Sequence, residues 1–339
     1  MSTPALALVA NAGDGTVSSF QIADDRAERL AVSPVGPGCS TFAVDSERGL
    51  VYAASKDPLS IVTLVLDTTT GTLSPIATTP VEASMTYLEL TAHGDRLVGA
   101  SYGGGYAQCW PVVAGKLQEP GDPVRHPNLH SVAITKDTRH VYAVSLGADL
   151  VVRYELGRDG SLTDPRPAAA PAGSGPRHIA LNTAETAAYV VTEFSAEVLM
   201  FARDLETGEL TLGGAVRIDD PQYELGHSEY GANPREHHYR WGADIDLARN
   251  ETHLWASERT ESTIATVPLG LSGQPEVPTA YAVTETQPRG FHVSPDGRYL
   301  LCTGERSDSV SLYTIGADGS LTPVDREVTG RGANWVRFV

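Results

Sequence analysis

The stretch Gly290-Phe-His-Val-Ser-Pro-Asp-Gly-Arg-Tyr-Leu-Leu-Cys-Thr-Gly304 decides the fold, because its pattern recurs along the whole chain. A short apolar run meets the polar turn Ser294–Gly297, and a second apolar run then ends in a small residue. Five further stretches share this frame: Thr41–Ser55, Tyr87–Ser101, Ser131–Ser145, His178–Thr192 and Ala243–Ser257. Repeats of about 40–50 residues built from short strands are typical of β-propeller blades.

The spacing of the repeats gives the number of blades. Successive units start 46, 44, 47, 65, 47 and 44 residues apart, and a seventh start falls at Asn334. Only Trp335–Val339 follows that start, whereas Leu6–Asn11 at the other end is typical of a second strand without its first. We therefore predict that the two ends of the chain share one blade, which closes the ring and removes free sheet edges.

The outer half of each unit also has the pattern of strands. Alternating or β-branched runs such as Leu150–Tyr154 and Val310–Ile315 are mostly followed by polar turns that end in Gly, which are hairpin signals. The sequence therefore predicts an all-β fold, a seven-bladed β-propeller with four strands in each blade. Because the repeat runs from end to end, residues 1–339 are expected to form a single domain.

Charge and composition exclude several classes of partner. The net charge is −17, whereas a protein that binds nucleic acid or an anionic membrane usually presents a basic field. No apolar run approaches the length of a membrane span, Met1–Gly15 lacks the pattern of a secretory signal, and Cys39, Cys109 and Cys302 lack metal-ligand spacing. We expect a cytoplasmic protein, a monomer or weak homo-oligomer, without nucleic-acid or membrane partners.

Propeller topology brings certain loops together. The loop that leads into the innermost strand and the loop that leaves the second strand share one face of the ring. Basic candidates in the incoming loops are His130, Arg177, Arg240 and Arg289, and acidic candidates in the outgoing loops are Glu193 and Glu258. Because the planar fork of Arg binds carboxylates and phosphates bidentately, this pattern predicts an anion site at one mouth of the channel. Alternatively, each Arg pairs with a Glu of the next blade and only locks the blades together.

Other chemistry finds little support in the sequence. The adjacent His237 and His238 diverge in direction, and we predict no metal site; without a P-loop or a dinucleotide fingerprint, we also predict no cofactor. The 65-residue unit carries an insertion between Arg203 and Arg240. A long insertion over one face is either a binding loop or a merely solvated loop.

Five segments of the chain resemble a known family. They are Gly175-Pro-Arg-His178, Arg240-Trp-Gly-Ala-Asp-Ile245, Ser257-Glu-Arg-Thr260, Thr284-Glu-Thr-Gln-Pro-Arg-Gly-Phe291 and Gly332-Ala-Asn-Trp-Val336. They are similar to the seven-bladed propeller lactonases, which include bacterial 6-phosphogluconolactonases and share their fold with fungal carboxymuconate lactonizing enzymes. The resemblance covers essentially the whole chain and is densest from Gly175 onward.

The resemblance implies a metal-free site built from a His, a Glu and several Arg. The matching positions are His130, Arg177, Glu193 and an arginine from Arg240 or Arg289. Our candidate catalytic residues are His130, Arg177, Glu193 and Arg289, and our candidate substrate-binding residues are Arg240, His178, Glu258, Tyr87 and Asn334. The chain departs from the family at Thr86-Tyr87, where the phosphogluconolactonases have a Thr-His pair, and this departure leaves the exact substrate open.

The predicted chemistry follows from these groups. The partner is expected to be a small anionic lactone, 6-phosphogluconolactone or a related aldonolactone. Glu193 or His130 would activate water as a general base, and Arg177 or Arg289 would stabilise the oxyanion. Two other classes remain open: a lactonizing or isomerising enzyme that acts on a carboxylated, muconate-like substrate, and a non-catalytic interaction scaffold.

Overall fold

The computed structural model describes residues 4–339, and their strands form seven antiparallel sheets arranged as blades around a central channel. The first three strands of the chain, β1 (Ala5–Asn11), β2 (Thr16–Ala23) and β3 (Arg26–Pro34), belong to blade 1. Blade 2 contains β4 (Phe42–Asp45), β5 (Leu50–Lys56), β6 (Leu59–Asp67) and β7 (Thr72–Pro80).

Blades 3 and 4 follow the same order from the channel outward, except that the outer strand of blade 3 is split in two. Blade 3 contains β8 (Tyr87–Leu90), β9 (Arg96–Ser101), β10 (Tyr106–Val113) and the short outer pieces β11 (Lys116–Leu117) and β12 (Val124–Arg125). Blade 4 contains β13 (Leu129–Ile134), β14 (His140–Ser145), β15 (Leu150–Leu156) and β16 (Leu162–Ala169).

The remaining blades complete the ring. Blade 5 contains β17 (Pro176–Leu181), β18 (Ala187–Thr192), β19 (Glu197–Arg203) and β20 (Leu210–Arg217). A 3-10 turn at Pro221–Tyr223 and the helix α1 (Pro234–His237) lie in the insertion that follows. Blade 6 contains β21 (Gly242–Leu247), β22 (His253–Glu258), β23 (Thr263–Pro268) and β24 (Ala280–Val283). Blade 7 contains β25 (Pro288–Val293), β26 (Tyr299–Gly304), β27 (Ser309–Ile315) and β28 (Leu321–Val328).

The last strand, β29 (Ala333–Phe338), closes the ring as the innermost strand of blade 1. It runs antiparallel to β1, with Val336 opposite Val9 and Phe338 opposite Ala7. The buried Trp335 indole donates a 2.9 Å hydrogen bond to the carbonyl of Phe42 in blade 2. The prediction that both termini share one blade is therefore confirmed, and so is the seven-bladed all-β fold.

Burial explains why the sequence alternates only in part. The second strand of a blade packs against neighbours on both faces, so β14 and β18 are buried along their whole length and consist mainly of apolar residues. The outermost strands β20 and β28 face solvent on one side and alternate instead. Most of the apolar core therefore lies between neighbouring blades, where no single blade buries it alone.

A recurrent hydrogen bond joins each of four blades to the next one. An aromatic side chain on the second strand donates to a glycine carbonyl in the outer turn of the following blade, at 2.7–3.1 Å. The four pairs are Tyr52 with Gly115, Tyr142 with Gly208, Tyr189 with Gly273 and Trp255 with Gly319. All four glycines have φ between +73° and +78°, a conformation that L side chains rarely adopt. The Gly-ended turns of the sequence therefore serve contacts between blades as well as the hairpins themselves.

No helix within residues 4–339 has both the length and the apolar character needed to cross a membrane.

Closure of the ring gives a direct test of the architecture. Truncation after Asn334 removes most of β29 and leaves the inner edge of β1 unpaired, so we expect the truncated chain to aggregate or unfold. Sedimentation velocity measures its oligomeric state, and a thermal melt measures its melting temperature. Val328→Ser, at an exposed end of β28, is the matched control and should leave both readouts unchanged. A truncated chain that stays monomeric with an unaltered melting temperature would contradict the role of closure.

Candidate active site

Five of the inner strands begin with a β-bulge on the same face of the ring. The extra residue is His130 in β13, Arg177 in β17, Arg289 in β25 and Asn334 in β29, and β21 has its bulge at Ala243–Asp244. A bulge bends its strand and redirects the side chain of the unpaired residue. Four of the predicted site residues therefore owe their direction to an interruption of the ladder at the channel mouth.

Glu193 lies at the centre of a buried cluster of charge. Its Oε2 atom accepts a 2.8 Å hydrogen bond from Nε of Arg177 and forms an ion pair, also at 2.8 Å, with Nη2 of Arg259. Its Oε1 atom accepts a longer bond, 3.3 Å, from the indole of Trp241, and the Arg259 guanidinium lies 3.9 Å above the centre of that ring. Glu193 itself keeps 17% of its side chain exposed, so the cluster opens onto the channel mouth.

A second carboxylate holds the third arginine. Nη1 of Arg289 donates to Oε1 of Glu305 at 2.7 Å, and the side-chain amide of Gln287 donates to Oε2 of the same residue. Arg289 is 29% exposed and Glu305 is 20% exposed, the most accessible members of the group. Three guanidinium groups thus face two carboxylates, which leaves one net positive charge among these five side chains.

His130 and Tyr102 form an aromatic wall beside the charges. The rings of the two residues meet edge to face, with centroids 5.7 Å apart, and His130 is almost completely buried. Its Nδ1 atom is buried and has no hydrogen-bond partner among the described residues. Burial, reinforced by the charge of Arg177, lowers the pKa of His130 well below its usual value, so the imidazole is neutral at physiological pH.

A deeper layer of the channel contains His178, Tyr87 and Trp335. The His178 ring lies 5.3 Å from Tyr87 and 5.9 Å from Trp335, and its Nδ1 atom is 2.7 Å from Oδ1 of Asp244. Strand alternation would turn His178 away from Arg177, but Nε2 of His178 lies 3.2 Å from Nη1 of Arg177. The bulge at Arg177 removes the alternation and brings the two side chains together.

The electrostatics of the cluster favour its charged form. Burial alone raises the pKa of Glu193, but the charges of Arg259, Arg177 and Arg289 outweigh burial and hold that pKa below its usual value. Burial also raises the pKa of Glu305, but the charges of Arg289 and Arg259 outweigh burial and lower that pKa to about 2. Burial lowers the pKa of Arg177 to about 9, which still leaves the guanidinium protonated at neutral pH.

Two predicted residues have partners outside this cluster. Nε of Arg240 bonds Oδ2 of Asp219 at 3.2 Å, because the loop that carries it turns toward the insertion. The buried carboxylate of Glu258 accepts the backbone N–H groups of Trp241, Thr260 and Glu261, and therefore fixes the loop that leaves β22. Neither residue has a hydrogen bond or ion pair with Glu193 among the described residues, so the convergence of Arg240 and Glu258 on the mouth stays a prediction.

Arg259, which is not among the predicted site residues, contacts Glu193 directly. It directly follows Glu258, one residue beyond the end of β22, and lies inside the segment Ser257–Thr260 that carries the family resemblance. Loop topology pointed only to the first residue after the strand. The signal available in the sequence was Trp241, an aromatic residue that leads into β21 on the same face and on which Arg259 stacks.

The insertion lies beside the cluster. The Ser228 backbone donates to the carbonyl of Phe194, which follows Glu193, and Arg235 donates to the carbonyl of Arg259. A cavity of about 660 Å³ lies between the insertion and blades 4 and 5, lined on its aromatic side by Phe194, Tyr230 and Tyr239. This placement favours a binding loop over a merely solvated one.

The opposite end of the channel has a different character. A cavity of about 480 Å³ lies where the inner strands finish, and its polar lining includes Glu89, Asp246, His292 and Arg337. The side chains of Glu193, Arg259, Arg289 and Glu305 are absent from that lining. Within residues 4–339, no group of three or more His, Cys, Asp or Glu side chains has the arrangement of a metal site.

The fold and site together define a class: a seven-bladed propeller whose channel mouth presents buried His, Glu and Arg side chains. Comparison with known proteins identifies the family. The family described as "Lactonase, 7-bladed beta-propeller" matches residues 9–338, and the chain belongs to it.

Relatives and solved structures agree with that assignment. A 6-phosphogluconolactonase from Pectobacterium carotovorum is 31% identical over 273 residues, which cover 78% of each chain. A 6-phosphogluconolactonase from Serratia proteamaculans is 28% identical over 98% of each chain. The structure of a periplasmic gluconolactonase from Pseudomonas aeruginosa superposes with a TM-score of 0.84 at 21% identity, and 99% of each chain is covered, so it has the same fold.

The lowered pKa of Glu305 makes a prediction about acid stability. Its carboxylate is favoured in the folded state, so it contributes stability above the unfolded pKa of 4.5, and this contribution is lost as pH falls from 4.5 towards 2. Glu305→Gln should therefore cost about 3 kcal/mol of unfolding free energy at pH 7, since each unit of the lowered pKa corresponds to about 1.4 kcal/mol, and progressively less below pH 4.5.

Urea denaturation at pH 7 and at pH 3.5 measures the two values. Glu206→Gln, on an exposed turn, is the matched control and should change stability little at either pH. Equal losses for Glu305→Gln at both pH values would mean that the carboxylate is not stabilised by Arg289 and Arg259.

Proposed function

We propose that this protein is a lactonase that hydrolyses an anionic aldonolactone, 6-phosphogluconolactone or a close relative, at the mouth of the channel. The family assignment and the 31% identical 6-phosphogluconolactonase support this class of reaction. The observation that carries the proposal is the net positive cluster of Arg177, Arg259 and Arg289 around two carboxylates, in a chain whose overall charge is −17. A local positive site in an acidic protein selects anionic ligands.

His130 acts as the general base in this proposal. Its imidazole is neutral, and neither ring nitrogen hydrogen-bonds another described residue, so the unprotonated nitrogen keeps a lone pair for the proton of a water molecule. Both oxygens of Glu193 already accept hydrogen bonds, and Glu193 therefore acts mainly by fixing Arg177 and Arg259. A base with a low pKa suffices, because an aldonolactone ester is activated and its hydrolysis has a comparatively low barrier.

The steps of the reaction follow from these roles. Water loses a proton to His130 as its oxygen forms a bond to the lactone carbonyl carbon, and the carbonyl oxygen becomes an oxyanion. In this proposal, N–H groups of Arg177 and Arg289 stabilise that charge. The ring C–O bond then breaks, and the departing alkoxide takes up the proton that His130 received. The product is the open-chain sugar acid.

The cavity beside Phe194 provides room for the part of the substrate that does not react. We also propose that the reaction takes place in the cytoplasm, as part of carbohydrate oxidation through the pentose phosphate pathway. The free buried thiols of Cys39, Cys109 and Cys302 are consistent with a reducing compartment.

A panel of substrates tests the reaction class. The wild-type protein should hydrolyse 6-phosphoglucono-1,5-lactone in a pH-stat faster than glucono-1,5-lactone, and should leave a carboxylated cis,cis-muconate unchanged in the ultraviolet. Arg289→Ala should lower kcat/KM on the phosphorylated lactone by about 10–100-fold, since a charged hydrogen bond contributes about 1.5–3 kcal/mol. His130→Ala should reduce kcat by about 100-fold or more, in the range typical of a general base.

Arg158→Ala, in an exposed outer turn, is the control and should keep wild-type rates. Hydrolysis no faster than the spontaneous rate would exclude the lactonase. Consumption of the muconate would favour the lactonizing enzyme, and inertness toward the whole panel would favour the scaffold.

Metal independence is a separate proposal. It is supported by the chemistry of the cluster, in which arginines can take the role of an electrophile at the oxyanion. Dialysis against excess EDTA should leave kcat/KM on the phosphorylated lactone within about twofold of the untreated protein, a margin set by ordinary handling losses and far below the effect of removing a catalytic metal. Loss of turnover that returns on addition of Zn²⁺, Ca²⁺ or Mn²⁺ would overturn it.

A further inference from the structure

A chain of hydrogen bonds runs from blade 6 to the charged cluster. Oδ1 of Asp244 lies 2.7 Å from Nδ1 of His178, and Nε2 of His178 lies 3.2 Å from Nη1 of Arg177. Nε of Arg177 then donates to Glu193 at 2.8 Å. Asp244, His178 and Arg177 are all buried. This series of hydrogen bonds therefore links the Gly175–His178 segment to the Arg240–Ile245 segment through the imidazole ring of His178.

The chemistry of the partners fixes the proton on that ring. An arginine N–H group can only donate, so Nε2 of His178 must accept, and the ring proton must be on Nδ1, where it is donated to Asp244. In a neutral imidazole, the hydrogen bond made by one nitrogen sets the role of the other. Burial first, and then the charge of Arg177, lower the pKa of His178 to about 4, which agrees with a neutral ring.

The surroundings leave the ring little freedom to turn. Tyr87, Trp335 and His130 pack around His178 with ring centroids 5.3, 5.9 and 5.0 Å away. The Arg177 guanidinium is held on a further side by the carbonyl of Ala243, which accepts from Nη1. The hydrogen bonds that Arg177 makes to the described residues use Nε and Nη1, which leaves Nη2 for a ligand.

We propose that Asp244 and His178 form a positioning pair that fixes the Arg177 guanidinium with its Nη2 edge toward the lactone carbonyl. Asp244 acts through the tautomer of His178, and His178 acts through Arg177 rather than on the substrate itself. The catalytic part of this proposal rests on the proposed lactonase function. The part that concerns the ring proton does not.

An amide cannot replace the carboxylate of Asp244. Its Oδ2 atom accepts from the backbone N–H of Phe291 at 3.1 Å, while Oδ1 accepts from the backbone N–H of Ile245 at 3.0 Å and faces Nδ1 of His178. Asn has one oxygen for these three donors. If that oxygen keeps the bond to Phe291, the NH₂ group faces Nδ1 of His178, and the ring proton must move to Nε2, where it opposes the Arg177 N–H.

Asp246 offers a closely matched control on the same strand. Its Oδ2 atom accepts from the backbone N–H of Val293 at 2.9 Å, the equivalent bond between the same two blades, and its side chain makes no hydrogen bond to His178 among the described residues. Asp244→Asn and Asp246→Asn therefore disturb the same type of contact between blades, but only the first disturbs the ring.

The experiment combines kinetics with the protonation of His178. We expect Asp244→Asn to lower kcat on the phosphorylated lactone by about 10–100-fold, the loss that residues orienting a metal ligand typically cause when they are replaced, with KM changed less. Asp246→Asn should stay within about threefold of wild type. Equal losses in the two variants, or no loss in Asp244→Asn, would overturn the positioning role.

Long-range ¹H–¹⁵N correlation on ¹⁵N-histidine protein, with His178 assigned through His178→Gln, reads the tautomer without any substrate. The wild type should show the Nδ1–H form and Asp244→Asn the Nε2–H form; an Nε2–H or doubly protonated ring in the wild type would overturn the pair.

If wild-type protein hydrolyses no lactone, the proposed function fails, and the spectrum still decides whether the pair exists. Should Asp244→Asn not fold, the wild-type spectrum and the activity of His178→Gln decide. The Gln carbonyl can accept from Arg177, so His178→Gln should retain more activity than His178→Leu.

Discussion

The pairing of β29 with β1 is the constraint on which the rest of this structure depends. A blade exposes apolar surface on both faces, and the inner strands contact their neighbours around the whole ring, so the core forms only when the last blade meets the first. The chain achieves this by placing its final strand inside its first blade, where Trp335 reaches across to the carbonyl of Phe42. Closure also fixes the diameter of the channel, and therefore the distances between groups that belong to different blades.

Because the blades pack side by side in a closed ring, carboxylates on one inner strand can accept hydrogen bonds from the backbone of the next blade. Asp244 and Asp246 on β21 each accept a backbone N–H from β25, and Glu89 on β8 accepts one from β13. An innermost strand has no further strand on its channel side, so backbone N–H groups that face the channel lack a partner in the sheet. These carboxylates accept hydrogen bonds from such groups. A carboxylate that links two blades is therefore already fixed at one oxygen, and its second oxygen can orient another group. Asp244 uses both in this way.

Much of the fold could be predicted from the sequence, since period, turn chemistry and the incomplete units at the two ends all express the packing of the blades. The site was less accessible to such reasoning. Alternation separates Arg177 from His178, and only the bulge, which no local pattern announces, brings them within 3.2 Å. Loop topology brought His130, Glu193 and Arg289 to one mouth but could not distinguish Arg240, which turns to Asp219, from Arg259, which reaches Glu193.

The buried carboxylates explain how three arginines can share one mouth. Taking a guanidinium out of water costs several kcal/mol, and like charges add to that cost, so Arg177 and Arg259 are stable there because Glu193 lies between them. Pairing does not use up the donors, since each guanidinium carries five N–H groups and a carboxylate engages one or two of them. The remaining N–H groups are held in place by the same bonds that neutralise the charge. A site of this kind is preorganised for a developing oxyanion because its dipoles are already oriented before the substrate arrives.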